Sequence, residues 1–282
     1  MNPNNNIFRD NLSDDIFFDP ARKRAHNRRL FTVVVPRYDL VTRVLSFGRD
    51  RAWKRRLIAE LPPAPPGAPG GSGAGTSPAP RETGAPRETP PPLVLDLACG
   101  TGDLTFALAE RYPQAEVTGL DLNPEMLDFA RRRAAASSPA SVSSADPVPS
   151  FREGDMQDLP FADGSVWVVT GAYAVRNAPD LRATLAEIRR VLRPDGQLAL
   201  LEFSHSARRR VSALQLGLLR FWGRLWGRIL HRDAEVYGYI ADSLAAFPHL
   251  DALEHALREA GFTEVRSRRY MFGLLAITRA GG

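Results

Sequence analysis

The chain has 282 residues, 44% of them hydrophobic, with 37 basic and 32 acidic side chains. That apolar share excludes wholesale disorder, and without a G-X-Y or heptad repeat the chain is neither collagen-like nor a coiled coil. One cysteine, Cys99, excludes an internal disulfide, and no Cys/His cluster has zinc-ligand spacing, so no metal and a reducing, cytoplasmic address are expected.

The N-terminus, MNPNNNIFRDNLSDD, lacks the basic and apolar regions of a secretory signal. Asp10, Asp14, Asp15 and Asp19 argue against a transit peptide. The nearest approach to a membrane span, Val211–Leu230, is interrupted by Arg220, Arg224 and Arg228. Charge is unevenly spread. Residues 1–60 carry 13 basic and 7 acidic groups, residues 93–204 carry 10 and 16, and residues 205–282 carry 12 and 7. An acidic middle suits a cationic ligand, and basic flanks suit an anionic surface.

Residues 1–61 are expected to form an N-terminal helical segment. Leu40, Val44 and Phe47 fall on one side, and Trp53, Leu57 and Leu61 continue the stripe. Residues 62–92 hold 11 Pro and 6 Gly and repeat APRET, so they are expected to be a disordered linker. Residues 93–282 then form the main domain. Leu93–Leu97 is a buried strand, Leu104–Arg111 a helix and Glu116–Asp121 a strand. Pro124–Ala136 is a helix that Asn123 caps. Ala134–Ser150 is an Ala/Ser/Pro-rich surface loop. Phe151–Gly154 and Ser165–Ala172 are strands, Leu181–Leu192 a helix stopped by Pro194 and Gly196, and Gln197–Phe203 a strand. Leu250–Ala260 is a helix, and Phe262–Arg269 and Phe272–Arg279 are a closing strand pair. This alternation predicts an α/β fold with a mostly parallel sheet.

The strongest local signal is the run Val94–Asp103, a strand that turns into a helix through Gly100 and Gly102. The glycines let backbone pass close to a ligand, and the helix start offers free N–H groups. Position 105 is Thr, so the dinucleotide pattern G-x-G-x-x-G fails and a nicotinamide oxidoreductase is disfavoured. Asp121 follows Gly100 by 21 residues, at a strand end where a carboxylate reaches a ribose diol. Asp155 and Met156 close a third strand, where a carboxylate and a backbone N–H can meet an adenine. Asp96, inside the first strand, either organises the glycine loop or helps hold a cationic group.

These motifs, together with AYAVRNAPD, EIRRVLRPDGQLALLEFS, YGYIADS and the upstream RYDLVTRVLSFGRDRAWKR, resemble class I S-adenosylmethionine-dependent methyltransferases. More narrowly they are similar to the ubiquinone/menaquinone-biosynthesis C-methyltransferases, over roughly residues 31–62 and 93–280. The resemblance implies a Rossmann-like, mostly parallel seven-stranded sheet, with N-terminal helices and a helical insertion at 205–249 before the last strands. It implies S-adenosyl-L-methionine as cofactor, contacted at Gly100, Thr101, Asp121, Asp155, Met156 and Ala172. It also implies a prenylated demethyl-quinol substrate, most simply demethylmenaquinol, with a ubiquinone precursor left open. Members usually carry F-G-[IVL]-R-N where this chain has Tyr173–Asn177, so Tyr173 replaces the Phe and Ala174 a usual Gly, exchanges expected to narrow the pocket slightly.

Ring C-methylation needs a nucleophilic carbon, and ionising a phenol of pKa roughly 10 supplies one. Arg176 is the catalytic candidate for stabilising that charge, the alternative being a structural ion pair to an acid such as Asp180. Tyr239 is a second catalytic candidate, for orienting the ring hydroxyl. The histidines show no shared spacing and read as surface or packing residues, and Cys99 as a small residue in a tight turn. Val211–Leu230 is expected to be amphipathic, with Leu214, Leu218, Phe221, Leu225 and Ile229 on one stripe and the arginines on another. It either meets an anionic membrane peripherally or covers the substrate pocket. No nucleic-acid partner is expected, and a homodimer is left open. The other readings are a methyltransferase for another lipophilic acceptor and an RNA methyltransferase.

Overall fold

The computed structural model describes residues 19, 22–23, 46, 48–63, 90–137, 148–231 and 235–282, the side chains of 230–239 excepted. The expected helices around Leu40, Val44 and Phe47, most of the expected linker (64–89) and the loop at 138–147 lie outside the described residues.

One seven-stranded sheet organises the chain. Its strands are β1 (Leu93–Leu97), β2 (Glu116–Asp121), β3 (Ser150–Glu153), β4 (Val166–Ala172), β5 (Leu192–Phe203), β6 (Thr263–Tyr270) and β7 (Leu275–Gly281), in the order β3-β2-β1-β4-β5-β7-β6. β1 to β5 run parallel, and β7 is antiparallel to both β5 and β6. The order reverses at β1, whose neighbours are β2 and β4, and ligands of open α/β sheets bind at such a point. The central strands are mostly apolar because both faces are covered, with Asp96, Thr170 and Glu202 as buried exceptions. Leu95 and Leu97 pack with Leu185 and Ile188 of helix α4 (Leu181–Val191) and Leu253 and Leu257 of α7 (Leu250–Glu259). Val94 and Val168 face the other way, against Leu104 and Leu108 of α2 (Asp103–Arg111) and Trp53 and Leu57 of α1 (Asp50–Ala59).

The cap expected at Asn123 is in place, and two helix starts carry caps that the sequence reading did not assign. The Asn123 side chain accepts from the Met126 N–H at 3.1 Å at the start of α3 (Pro124–Ser137). Asp180 accepts from the Arg182 and Ala183 N–H groups at the start of α4. His249, expected to be a surface or packing residue, instead caps α7 by accepting from the Ala252 N–H at 3.1 Å. Two strand starts differ from expectation by three residues or more. β5 begins at Leu192 rather than Gln197, because Leu192 pairs with Val166 before pairing resumes at Val168 and Gln197. Pro194 and Gly196 therefore sit in a bulge opposite Trp167. β7 begins at Leu275 rather than Phe272, because Met271–Gly273 form a tight left-handed turn, with φ of 49°, 55° and 86°.

Between β5 and α7 the chain inserts helices α5 (Arg209–His231) and α6 (Glu235–Ala246). The two pack together, with Gly223 and Gly227 of α5 buried. Arg220 of α5 pairs with Asp242 of α6. The outer face of α5 is apolar and uncovered by any described residue: Leu214 is 64% exposed and Phe221 66%, with Leu218, Leu225 and Ile229 also exposed.

Candidate active site

The carboxyl ends of β1 to β5 share one edge of the sheet and carry the expected cofactor residues. At β1, Ala98 and Gly100 have positive φ, and Gly102, at φ 88°, starts α2 without a side-chain cap. A Cβ at Gly102 would sit 3.0 Å from the Phe106 and Phe151 rings, so glycine is needed there for conformation and for space. Asp121 ends β2. One of its oxygens accepts from the Gly100 N–H at 2.8 Å and the other from the Asn123 N–H at 2.9 Å. Each oxygen keeps a lone pair for another donor. Burial pushes its carboxyl above the usual range, while the backbone N–H groups pull it back. At β3, Asp155 closes a tight turn by accepting from the Gln157 N–H, and Met156 packs against the core on the α4 side of the sheet.

Two residues that sequence reasoning passed over clamp the glycine loop. Arg133 of α3 donates to the Thr101 carbonyl at 2.6 Å and pairs with Asp103 at 2.8 Å. Lys54 of α1 lies 2.8 Å from Asp50 and 3.5 Å from Asp103. Burial pulls the Lys54 amine down, but Asp50 and Asp103 outweigh it and hold it above its usual value. Asp96 lies beneath the loop, accepting from Thr105 at 2.7 Å and Thr170 at 3.0 Å. It thereby ties α2 to β4, which is the loop-organising alternative. Cys99 is held well above its usual pKa by burial and by the acids beside it, so its thiol stays protonated.

Burial pushes Asp96 up to about 7, against its two hydroxyl donors. A carboxyl raised above its unfolded pKa stabilises the fold fully below about pH 4, and loses that stability as pH climbs to about 7. The loss is on the order of 4 kcal/mol. Asparagine keeps both hydroxyl partners and cannot ionise. Asp96→Asn is therefore expected to gain melting temperature over the parent as pH rises from 5 to 8, with the two converging towards pH 4. A gap that stays constant with pH would contradict this account.

The ends of β4 and β5 build the second half of the site. Tyr173 follows β4 at φ 60° and its ring stacks on Phe203, centroids 5.1 Å apart. Ala174, at φ −91°, is fully buried against Gly171, so its methyl fills core rather than narrowing a pocket. The next turn, Val175–Asn177, presents Arg176. The Arg176 guanidinium is buried, donates to the Ser243 hydroxyl of α6 at 2.8 Å and lies 5.5 Å from the Phe203 ring centroid. Its acid is Glu202 of β5, at 3.8 Å. Asp180, the partner considered from sequence, is committed to capping α4. Ala172 is half-buried at the end of β4. Tyr239 falls within α6, and its side chain lies outside the described residues.

A glycine loop at the switch point, an acid closing β2 and a mostly parallel seven-stranded sheet with an antiparallel β7 define a class I S-adenosylmethionine-dependent methyltransferase. The same fold recurs in a putative methyltransferase from Haloferax volcanii solved with its Trm112 activator, with TM-score 0.56, 19% identity and coverage of 89% of this chain and 96% of that one. It recurs too in an S-adenosylmethionine-dependent methyltransferase from Thermotoga maritima, with TM-score 0.55, 15% identity and coverage of 90% and 98%. Residues 21–281 match the ubiE/COQ5 methyltransferase family, and the chain belongs to that family. It is 36% identical to the demethylmenaquinone methyltransferase of Deinococcus radiodurans, over 91% of this chain and 92% of that protein. It is 36% identical to the one of Thermus thermophilus as well, over 88% and 97%. The protein is a C-methyltransferase and S-adenosylmethionine is its cofactor.

The donor set fits that cofactor. Asp121 offers two acceptor lone pairs to a diol, and the uncapped start of α2 offers N–H groups.

Proposed function

We propose that this protein methylates a ring carbon of demethylmenaquinol at a membrane surface. The observation that carries the reading is the buried Arg176 at the sheet edge beside the cofactor loops, in a chain that aligns along nearly its full length with demethylmenaquinone methyltransferases. Asp121 holds the ribose hydroxyls, the Gly100–Gly102 loop with Thr101 lies along the cofactor, Asp155 and Met156 take the adenine, and Ala172 lines its edge. The cofactor supplies an electrophilic methyl group on a sulfonium. Arg176 favours the phenolate form of the quinol, since a cation within a few ångströms shifts an acid towards its charged form. It accepts no proton itself, because a guanidinium stays protonated. The stacked Tyr173 and Phe203 rings offer a flat ring an apolar wall. Holding that ring in line with the methyl group can contribute roughly 7–11 kcal/mol of the rate.

The protein works in the cytoplasm and touches the bilayer through α5. Among the described residues no helix is long and apolar enough to cross a membrane. Support comes from the exposed stripe Leu214, Leu218, Phe221, Leu225 and Ile229, flanked by the exposed Arg224 and Arg228. Phe272 extends the patch, fully exposed on the β6–β7 turn, with its carbonyl bonded to Gln215 of α5. An arginine near an anionic leaflet contributes about 1 kcal/mol, screened by salt.

Two measurements test the reading. Purified protein with S-adenosylmethionine and reduced short-chain demethylmenaquinone is expected to yield menaquinol, and an inert enzyme that binds cofactor would refute the substrate. Vesicles containing anionic lipid are expected to bind the protein less as salt rises, and less again for the Arg224→Gln/Arg228→Gln variant. Equal affinity for neutral and anionic vesicles, or none for either, would leave α5 as a cover over the substrate.

A further inference from the structure

The mechanism leaves a proton without a destination. Glu202 lies one residue from the end of β5, at the same sheet edge as the cofactor loops, and is 2% exposed. Its Oε1 accepts the Arg176 N–H at 3.3 Å, and its carboxylate also receives N–H groups of Val175 and Phe203. Its Oε2 faces the Arg176 Nε at 3.8 Å, too far for a hydrogen bond. Among the described residues neither Oε2 nor Nε has a hydrogen-bond partner. A buried acceptor and a buried donor left unpaired side by side are unfavourable, and they call for a third group between them. A hydroxyl satisfies both at once, accepting from Nε–H and donating to Oε2.

We propose that Glu202 is the base that takes the quinol hydroxyl proton, through the carboxylate oxygen that lies beside the Arg176 guanidinium. The inference rests on the quinol reading above. The hydroxyl O–H bond breaks, its proton goes to Oε2 and its electron pair moves through the ring to the carbon being methylated. That carbon bonds the methyl group as the methyl–sulfur bond breaks, the bonding pair staying on sulfur. The ring C–H proton then leaves to water, restoring aromaticity, and Glu202 returns its proton to the phenolate oxygen. One proton is released per turnover and the base is regenerated.

The surroundings suit that role. Burial pushes Glu202 up to about 7, although Arg176 pulls it down, and a base with a pKa near the working pH is effective. The charged groups facing it from packed elements, among the described residues, are Arg176 on the 3₁₀ turn and Lys23 near the N-terminus. The Lys23 amine donates to the Ala178 carbonyl at 2.6 Å, and its pKa is lowered to about 8 by burial and by Arg176. From α6 the Ser243 hydroxyl binds Arg176 at 2.8 Å. When Glu202 is protonated, two cations remain to face the phenolate.

A purely structural Glu202 would only cap the 3₁₀ turn and steady Arg176. Glu202→Gln separates the roles, because the amide oxygen still accepts the backbone N–H groups. With reduced short-chain demethylmenaquinone, the parent is expected to show kcat rising with pH through about 7. In Glu202→Gln that rise disappears and kcat falls by about a hundredfold or more, with cofactor affinity unchanged. A pH rise that survives in the variant, or a kcat within tenfold of the parent, overturns the proposal. A quinol acidified by an electron-withdrawing ring substituent gives a second readout. The parent-to-variant ratio is expected to shrink for it, and an unchanged ratio overturns the proposal. Should Glu202→Gln fail to fold, Glu202→Asp is expected to keep the pH rise at reduced kcat, and losing the rise would count against the base. A parent inert towards the quinol would remove the substrate reading and this proposal with it, and is recognised without any variant.

Discussion

Asp121→Ala is expected to weaken S-adenosylmethionine binding at least about tenfold in titration calorimetry, since hydrogen bonds to a charged group contribute roughly 1.5–3 kcal/mol each. The carboxylate has two tasks in this structure. It holds the glycine loop closed through the Gly100 N–H, and on the proposed reading its remaining lone pairs accept the ribose hydroxyls. Alanine removes both. Asp121→Asn, with one amide oxygen as acceptor, is expected to lose less. A folded Asp121→Ala variant with parental affinity would take Asp121 out of the site.

Arg176→Lys is expected to leave cofactor affinity intact and to lower kcat by about two orders of magnitude or more, within the range found when a charge-stabilising group is removed. The guanidinium binds Ser243 on α6, lies over Phe203 and faces Glu202 at once. An ammonium keeps the charge, which protects the fold from a buried unpaired Glu202, a defect of about 3–5 kcal/mol. It cannot reproduce the planar fork. Retained turnover, or cofactor affinity that falls in step with kcat, would end the assignment. Single-turnover measurements alongside the calorimetry separate the two outcomes.

Much of this architecture was legible because its signals are local. A glycine loop between strand and helix, an acid closing the next strand and a capping asparagine before a proline all declare themselves within a few residues. Features fixed by strand register did not. Glu202 sits in the run LALLEF and reads as one more strand residue. Only the pairing of β4 with β5 sets it against a turn 26 residues earlier. Asp180 was the nearer acid in sequence, yet a helix start claimed it. Arg133 stands in a run of three arginines that resembles a solvated helix face, and its hold on Thr101 depends on how α3 crosses the loop. Ala174 looked like a narrowing of the pocket because sequence does not show which residue takes the left-handed turn, and that residue is Tyr173.

The docking of α1 bears on covalent continuity. Trp53 and Leu57 are buried in the core, Arg279 binds the Glu60 carbonyl at 2.8 Å, and the Tyr112 hydroxyl binds the Pro62 carbonyl at 2.7 Å. The Pro/Gly-rich stretch that follows thus joins two pieces already fastened side by side. A protease cut between Pro63 and Pro90 would leave a nicked enzyme whose halves stay associated, and the same stretch is a natural place for new termini or an inserted module. The fastening also reaches the cofactor, because Lys54 touches Asp103 in the first turn after the glycine loop. Losing the N-terminal piece would remove one of that loop's clamps and leave Arg133 and Asp121 to hold it, so weakened cofactor binding is expected to report separation of the pieces.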